Sequence, residues 1–431
     1  MLKKIDFKNL DISVYTRKLK NGLDDFYIPY EHKNNYFMSF LTKYGSSVDD
    51  FVPSGKKEMI HVPQGVAHFL EHKMFEMEDG IDPFSFFSES GTGANANTWF
   101  TRTQYICWGN KDIEKNLEYL LEYVSKPYFT DENVKKEQGI IEQEIRMYDD
   151  QPEFKIDDVL RQGIFESEPT RNDIAGTVEE INKITKEILY ECYYTFYKPS
   201  NMAVFISGKM DIDKLEAIMD QYDHTYKTKK ENIKVMDYKE KDEVYKKEQR
   251  LKMNVVIPKM AYAIKINNTK FDCTQEFLEY YLNLFLTVKF GLTSKFREEA
   301  KKKKLMTSLY TEVFTMNNHT MISFYADSEK PDELKQEIKK EMTKDDITNE
   351  EISRIQKVWI ASEVQITDSI EATLNNCIED YLKYGNIVSN RVEKIKMLNK
   401  KDLEEIIKKI DFTNDSYAVI EPNGKQKEET K

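Results

Sequence analysis

The sequence predicts an α+β fold in which a unit of antiparallel strands and helices occurs twice, and three observations point to it. The chain has 431 residues and 40% apolar content, more than one core absorbs, because single hydrophobic cores stop growing near about 250–300 residues. A heavily charged stretch with few large apolar residues, Lys227 to Lys252 (KTKKENIKVMDYKEKDEVYKKEQRLK), sits near the midpoint and reads as a linker. On either side of it, short β-rich runs mix with helical patterns, and a β-rich run comes late in each half. The expected division is 1–226, a linker at 227–252, and 253–431.

Taken in order, residues 12–44 alternate apolar and polar positions in runs such as DISVYTRKL and NYFMSFLTKYG around the turn signal NGLDD, the pattern of antiparallel strands. From 64 to 78 the spacing turns helical, with Val66, Phe69, Leu70, Lys73 and Met74 recurring at threes and fours behind Pro63. Helices are expected at 111–126, at 131–149 with Asp131 as N-cap, and at 178–196, stopped by Pro199. NMAVFISG (201–208) then reads as a buried strand. After the linker, VVIPKMAYAIKI, SLYTEVFT, TMISFYAD and SYAVIEP read as strands, with helices near 272–290 and 331–343 and further helices to 409. The tail GKQKEETK reads as frayed.

Charge and cysteine usage exclude several function classes. The 64 Lys+Arg against 76 Asp+Glu give a net charge of -12, the wrong sign for a protein that grips nucleic-acid phosphates. Cys107, Cys192, Cys273 and Cys377 are far apart with no C-x-x-C pair, as expected in a reducing compartment. The segment MLKKIDFKNLDISVY contains no apolar stretch of signal-peptide length, and no run of about 18 apolar residues occurs anywhere. A cytosolic protein that binds neither nucleic acid nor membrane is expected.

The chemistry concentrates in one pentapeptide. Of six histidines, two frame His68-Phe69-Leu70-Glu71-His72, an H-x-x-E-H motif. Residues four apart on a helix lie one turn above each other, so His68 and His72 can aim imidazole nitrogens at one ion, and the donor set suits zinc. Glu71 is placed to take a proton from a water on that ion. Catalytic zinc needs a third protein ligand, and the run EQGIIEQEIRMYDD offers Glu137, Glu142 and Glu144. Glu137 and Glu144 are seven residues apart, two turns along one helix face, among Ile140, Ile141 and Ile145.

The inverted motif resembles the signature of the pitrilysin/insulysin-like zinc metallopeptidases, the inverzincins, a family that includes the mitochondrial processing peptidases. In that family the zinc glutamate follows about 70–80 residues after the second histidine and ends an E-x6-E element; Glu144 lies 72 residues after His72, and Glu137 opens the element. The resemblance implies Glu144 as the third ligand and Glu137 as a supporting carboxylate of the catalytic group. Asn95-Ala96-Asn97-Thr98, with Tyr105 ten residues after Asn95, is similar to the family's N-A-x-T element. That element is an edge strand on which Asn95 and Ala96 would pair with an extended substrate backbone. DIAGTVEEINKIT (173–185), YYTFYKPSNMAVFISGKMD (193–211) and IIEQEIRMYDD are most similar to a bacterial branch, the YmfH-like processing peptidases.

The resemblance further implies two tandem α/β-sandwich domains forming half of a clamshell, one Zn2+ per chain, and an endopeptidase acting on unfolded peptides or extended protein segments. It implies a dimer as well, with a second copy or with a homologous chain lacking the zinc motif. One family feature is missing from the second half. Many members carry an Arg and a Tyr seven residues apart there, whereas Arg297 is followed at that spacing by Lys304, leaving Arg297 and Tyr310 as distant substitutes. The alternative expectation is a non-catalytic peptide-binding or scaffold subunit of a processing-peptidase-like complex. S-ribosylhomocysteinases share the H-x-x-E-H motif, but they are single small domains with a cysteine ligand, and no cysteine here stands at a matching position.

Overall fold

The structure, a computed structural model, describes residues 2–227 and 232–423, so the expected frayed tail at 424–431 and residues 228–231 of the expected linker lie outside the described residues. The chain opens with β1 (Lys3–Asp6), β2 (Ser13–Lys18), β3 (Asp24–Pro29), β4 (Tyr36–Thr42), β5 (Asp50–Val52) and β6 (Ile60–His61). It continues through α1 (Val66–Lys73), α2 (Pro83–Glu89), β7 (Gly93–Thr98), β8 (Thr103–Gly109), α3 (Ile113–Val124), α4 (Asp131–Asp149) and α5 (Pro152–Ile164). After α6 (Val178–Ile181), α7 (Lys186–Phe196), β9 (Met202–Gly208) and α8 (Ile212–Thr225) come β10 (Lys234–Val235), β11 (Glu248–Met253) and β12 (Lys259–Asn267). The remainder is α9 (Gln275–Phe290), α10 (Lys295–Lys302), β13 (Ser308–Met316), β14 (His319–Asp327), α11 (Pro331–Met342), α12 (Asn349–Thr367), α13 (Ile370–Tyr384), α14 (Arg391–Met397), α15 (Lys400–Lys408) and β15 (Asp415–Pro422).

These elements gather into two compact α+β units. The first holds the described residues up to Ile145, Asp173–Asp237 and Ser362–Val392; the second holds Arg146–Asn172, Tyr238–Ala361 and the chain from Glu393. The crossing at Asp237 and Tyr238 falls inside the charged stretch expected to be a linker, but the end of that stretch, from Glu248, is strand β11. Two segments change membership: α5 packs on β12 and β15 of the second unit, and α13 packs on β4 and β9 of the first.

In the first unit a seven-stranded sheet runs β1-β2-β3-β9-β4-β8-β7, antiparallel except for β3 beside β9. Alternation along β9 shows why both faces are covered: Val204 and Ile206 join one apolar cluster with α1, α3, α4 and α7, while Ala203 and Phe205 join another with α13. In the second unit a five-stranded sheet runs β11-β15-β12-β14-β13. Met260, Tyr262 and Ile264 of β12 face α9 and its neighbours, while Ala261 and Ala263 face α5.

Two sequence expectations are corrected. The helix expected at 178–196 is two helices, because the hydroxyls of Thr177 and Thr185 each accept from a backbone N–H three residues on and so each begins a helix. The start of α4 is capped by Thr130 rather than Asp131: Thr130 Oγ1 accepts from Asn133 N–H at 3.1 Å while Asn133 Oδ1 accepts from Thr130 N–H at 2.9 Å, a reciprocal box.

Candidate active site

Helix α1 carries the motif and is driven into the first unit by Val66, Ala67, Phe69 and Leu70, all buried. Its start is fixed by two glycines in left-handed conformation, Gly65 (φ 85°) and Gly176 (φ 76°). A Cβ on Gly65 would meet Ala175 O at 2.3 Å, and one on Gly176 would meet Gln64 O at 2.6 Å. The DIAGT segment thus presses backbone to backbone against the head of α1, which gives that part of the sequence a physical role.

On the other faces of α1 the titratable groups converge. The Nε2 atoms of His68 and His72 lie 3.8 and 3.5 Å from the two oxygens of Glu144, which reaches in from α4. One donor atom from each of His68, His72 and Glu144 falls within 4.8 Å of the others, and this is the one such group among the described residues. A tetrahedral ion about 2.1 Å from each donor would hold them roughly 3.4 Å apart, so these side chains fit zinc with little movement. Ile141 and Ile145 seat α4 in the core and leave Glu144 facing α1, whereas Ile140 is exposed and Glu142 stands outside the group.

Glu137, two turns before Glu144, is buried and accepts from His72 Nδ1 at 3.0 Å through one oxygen. Its other oxygen lies 3.3 Å from the ammonium of Lys73, whose side chain is 0% exposed. Glu71 is held from β7: the hydroxyl of Thr98 donates to Glu71 Oε2 at 2.7 Å. Thr98 and Lys73 are the functional contacts that motif reading missed, and the available signal for Lys73 was a lysine standing within the apolar stripe of α1.

Charge follows from these contacts. Burial, with the neighbouring His72 charge, pushes the His68 pKa down to about 3, so its nitrogen is free for a metal near neutral pH. Burial also opposes a charge on His72, but its hydrogen bond to Glu137 and the charges of Glu137, Glu71 and Glu144 outweigh it and raise the pKa. Glu137 is the reverse case, burial being overcome by His72 and Lys73 so that its pKa falls. Burial raises the pKa of Glu71 and of Glu144, and for Glu71 that strengthens a carboxylate acting as a base.

The strand next to the motif ends its sheet. β7 pairs with β8 on one side, Ala96 opposite Tyr105, and its other edge is terminal in the sheet. Asn95 is exposed and its Oδ1 accepts from Ala96 N–H at 2.9 Å, while Ala96 itself is buried. Tyr105 lies beneath, fully buried, its hydroxyl 2.8 Å from that of Tyr197. In the second unit Arg297 is spent locally: its guanidinium donates to Phe290 O at 2.6 Å and Leu309 O at 2.7 Å, and Tyr310 is exposed on β13.

Residues 47–178 match the family model "Insulinase (Peptidase family M16)" and residues 183–358 match "Peptidase M16 inactive domain". A protein of Bacillus subtilis (strain 168), named "Uncharacterized zinc protease YmfH", is 38% identical over 412 residues, covering 94% of this chain and 95% of that one. The chain belongs to peptidase family M16. The crystal structure of a putative M16-like peptidase from Alicyclobacillus acidocaldarius superposes with a TM-score of 0.89 at 26% identity, covering 96% of this M16 chain and 99% of that chain. That of a protease from Helicobacter pylori gives 0.83 at 19% identity over 95% and 99%. Pitrilysin gives 0.73 at 12% identity, with 98% of this chain matching 46% of that one. Among the described residues, no helix is long and apolar enough to cross a membrane.

Proposed function

We propose that this M16 chain is a zinc-dependent endopeptidase that hydrolyses unfolded peptides or extended protein segments in the bacterial cytoplasm. The observation that carries the reading is the convergence of His68, His72 and Glu144 beside a buried Glu71 that is itself tied to the terminal strand β7. A zinc ion held there supplies a Lewis acid for the scissile carbonyl and lowers the pKa of a water ligand to about 7. Glu71 takes the proton of the attacking water and hands it to the leaving amine. Thr98 fixes the carboxylate for that transfer, and Glu137 holds the His72 ring through Nδ1. Asn95 and Ala96 offer the β7 edge to an extended substrate, the Asn95 side chain giving up the Ala96 N–H as the substrate pairs. Cleavage of a quenched-fluorescence peptide library by the zinc-loaded chain tests this: Glu71→Gln should lower kcat by about 10²–10⁴-fold with zinc retained, and equal rates would defeat the mechanism.

The engagement of Arg297 with two backbone carbonyls favours a second reading, in which the chain binds peptide as a non-catalytic or scaffold subunit, or cleaves only when paired. The chain then acts as a homodimer or with a homologous subunit that lacks the zinc motif. Zinc binding without cleavage by the isolated chain, with cleavage restored by such a subunit, is the outcome that separates pairing from a pure scaffold.

A further inference from the structure

Next to the motif stands a residue with no place in it. Lys73 follows His72 directly, its side chain is 0% exposed, and its ammonium is 2.7 Å from Glu76 and 3.3 Å from Glu137. Lysine on a helix ordinarily runs its stem along the surface and keeps the ammonium in water; a buried ammonium is expensive to desolvate and persists only with ionic partners. Both partners here are carboxylates, and one of them also holds a residue of the metal group.

We infer that Lys73 is a positioning residue for the metal centre: it fixes the Glu137 carboxylate so that Glu137 in turn holds the His72 ring with Nε2 turned toward Glu144 and His68. The geometry explains the need. Consecutive residues of a helix point about 100° apart, so His72 and Lys73 cannot face the same ion, but a carboxylate from α4 can span them. Glu137 does so with one oxygen each, 3.0 Å to His72 Nδ1 and 3.3 Å to Lys73 Nζ. A glutamate's last torsion is broad, and a carboxylate tied at a single oxygen swings about it. Tied at both, it presents a fixed acceptor to the imidazole. Glu76 is the second partner of the ammonium, and it is shared with Lys136 at 3.5 Å, so Lys73 is anchored independently of the metal group.

The inference rests on the metal-site reading above, and zinc affinity separates the two. The full chain, stripped of metal, is titrated with zinc against a chromogenic chelator at fixed pH, as wild type, Lys73→Met, Glu137→Gln and the double variant. Loss of an outer partner of a metal ligand weakens binding by about 10–100-fold, and each single variant should fall in that range. Because Lys73 acts through Glu137, the double variant should bind within about threefold of Glu137→Gln. A Kd for Lys73→Met within twofold of wild type, or losses that multiply in the double variant, would overturn the inference while leaving the zinc site intact. A purely structural lysine would lower the melting temperature of the metal-free protein and leave the zinc Kd unmoved. If Lys73→Met does not fold, Lys73→Gln, which keeps a donor in the buried position, is held to the same two outcomes. Wild type that binds no zinc would defeat the metal-site reading itself.

Discussion

Strands β3-β9-β4-β8-β7 of the first unit and β11-β15-β12-β14-β13 of the second follow the same permutation of chain order, with the one parallel pair in the same place, β3 beside β9 and β11 beside β15. The helices after each hairpin also correspond. α4 and α12 are both 19 residues long, and each starts at a threonine whose hydroxyl accepts from a backbone N–H three residues on, Thr130 from Asn133 and Thr348 from Glu351. Eight residues after that cap each helix carries a glutamine that clamps two carbonyls of a later turn. Gln138 donates to Asn182 O and Ile184 O at 3.4 and 3.1 Å, and Gln356 donates to Ile395 O and Leu398 O at 2.8 and 3.0 Å. Where α4 has Glu137 and Glu144, the equivalent places of α12 have Ile355 and Ser362. The comparison teaches that caps, clamps and strand order are the shared scaffold, and that the acidic pair and the H-x-x-E-H helix are what the first unit adds.

The comparison can be broken at matched positions. The largest stability effect belongs to the second unit: Ile355 is buried in its core, so Ile355→Ala should destabilise by about 2–5 kcal/mol without altering zinc affinity. Its counterpart Glu137→Gln should do the reverse, weakening zinc with a smaller effect on the metal-free melting temperature. Chemical denaturation beside zinc titration checks the pair, and parallel behaviour of the two variants would collapse the distinction. Next, Gln138→Ala and Gln356→Ala should each cost about 1–3 kcal/mol by stranding carbonyls. Near-equal losses in the same denaturation assay would mark them as common scaffold, and a loss in only one would not.

The smallest effect is in protons. His68 is already neutral near neutral pH, whereas the raised pKa of His72 leaves a proton that zinc must displace. Zinc affinity should therefore fall as pH drops through the raised His72 value and level off above it. Calorimetry in buffers of different ionisation enthalpy at a pH below that pKa should find about one histidine proton released per ion. In the second unit His319, whose pKa burial lowers, sits outside this titration. Release of two protons would mean that His68 does not have the environment described.

Much of this was legible in the sequence because short-range rules decide it. The motif helix, the limits of α4 at 131–149 and the buried strand at 201–208 follow from periodicity and breakers, and the pairing of Glu137 with Glu144 follows from two-turn spacing. What was not legible depends on contacts made across the chain. The spacing picks out no helix at α5, and α13 is one of the further helices expected before 409; only the packing of Leu160 and Ile164 against Ala261 and Ala418, and of Leu374 and Ile378 against Phe205, assigns each to its unit. Lys73 stands in the apolar stripe of α1 with no partner visible in the sequence until α4 brings Glu137 over it, and Thr98 reads as a strand residue until Glu71 is found beside its hydroxyl.

The central claim is that the first unit holds the chain's metal chemistry in one site made by His68, His72 and Glu144. It is tested most directly by counting zinc per chain by mass spectrometry after dialysis of wild type, Glu144→Ala and the matched Ser362→Ala. One zinc in wild type and in Ser362→Ala, with little or none in Glu144→Ala, is the result predicted. A full zinc retained by Glu144→Ala, or one lost in Ser362→Ala, would contradict it.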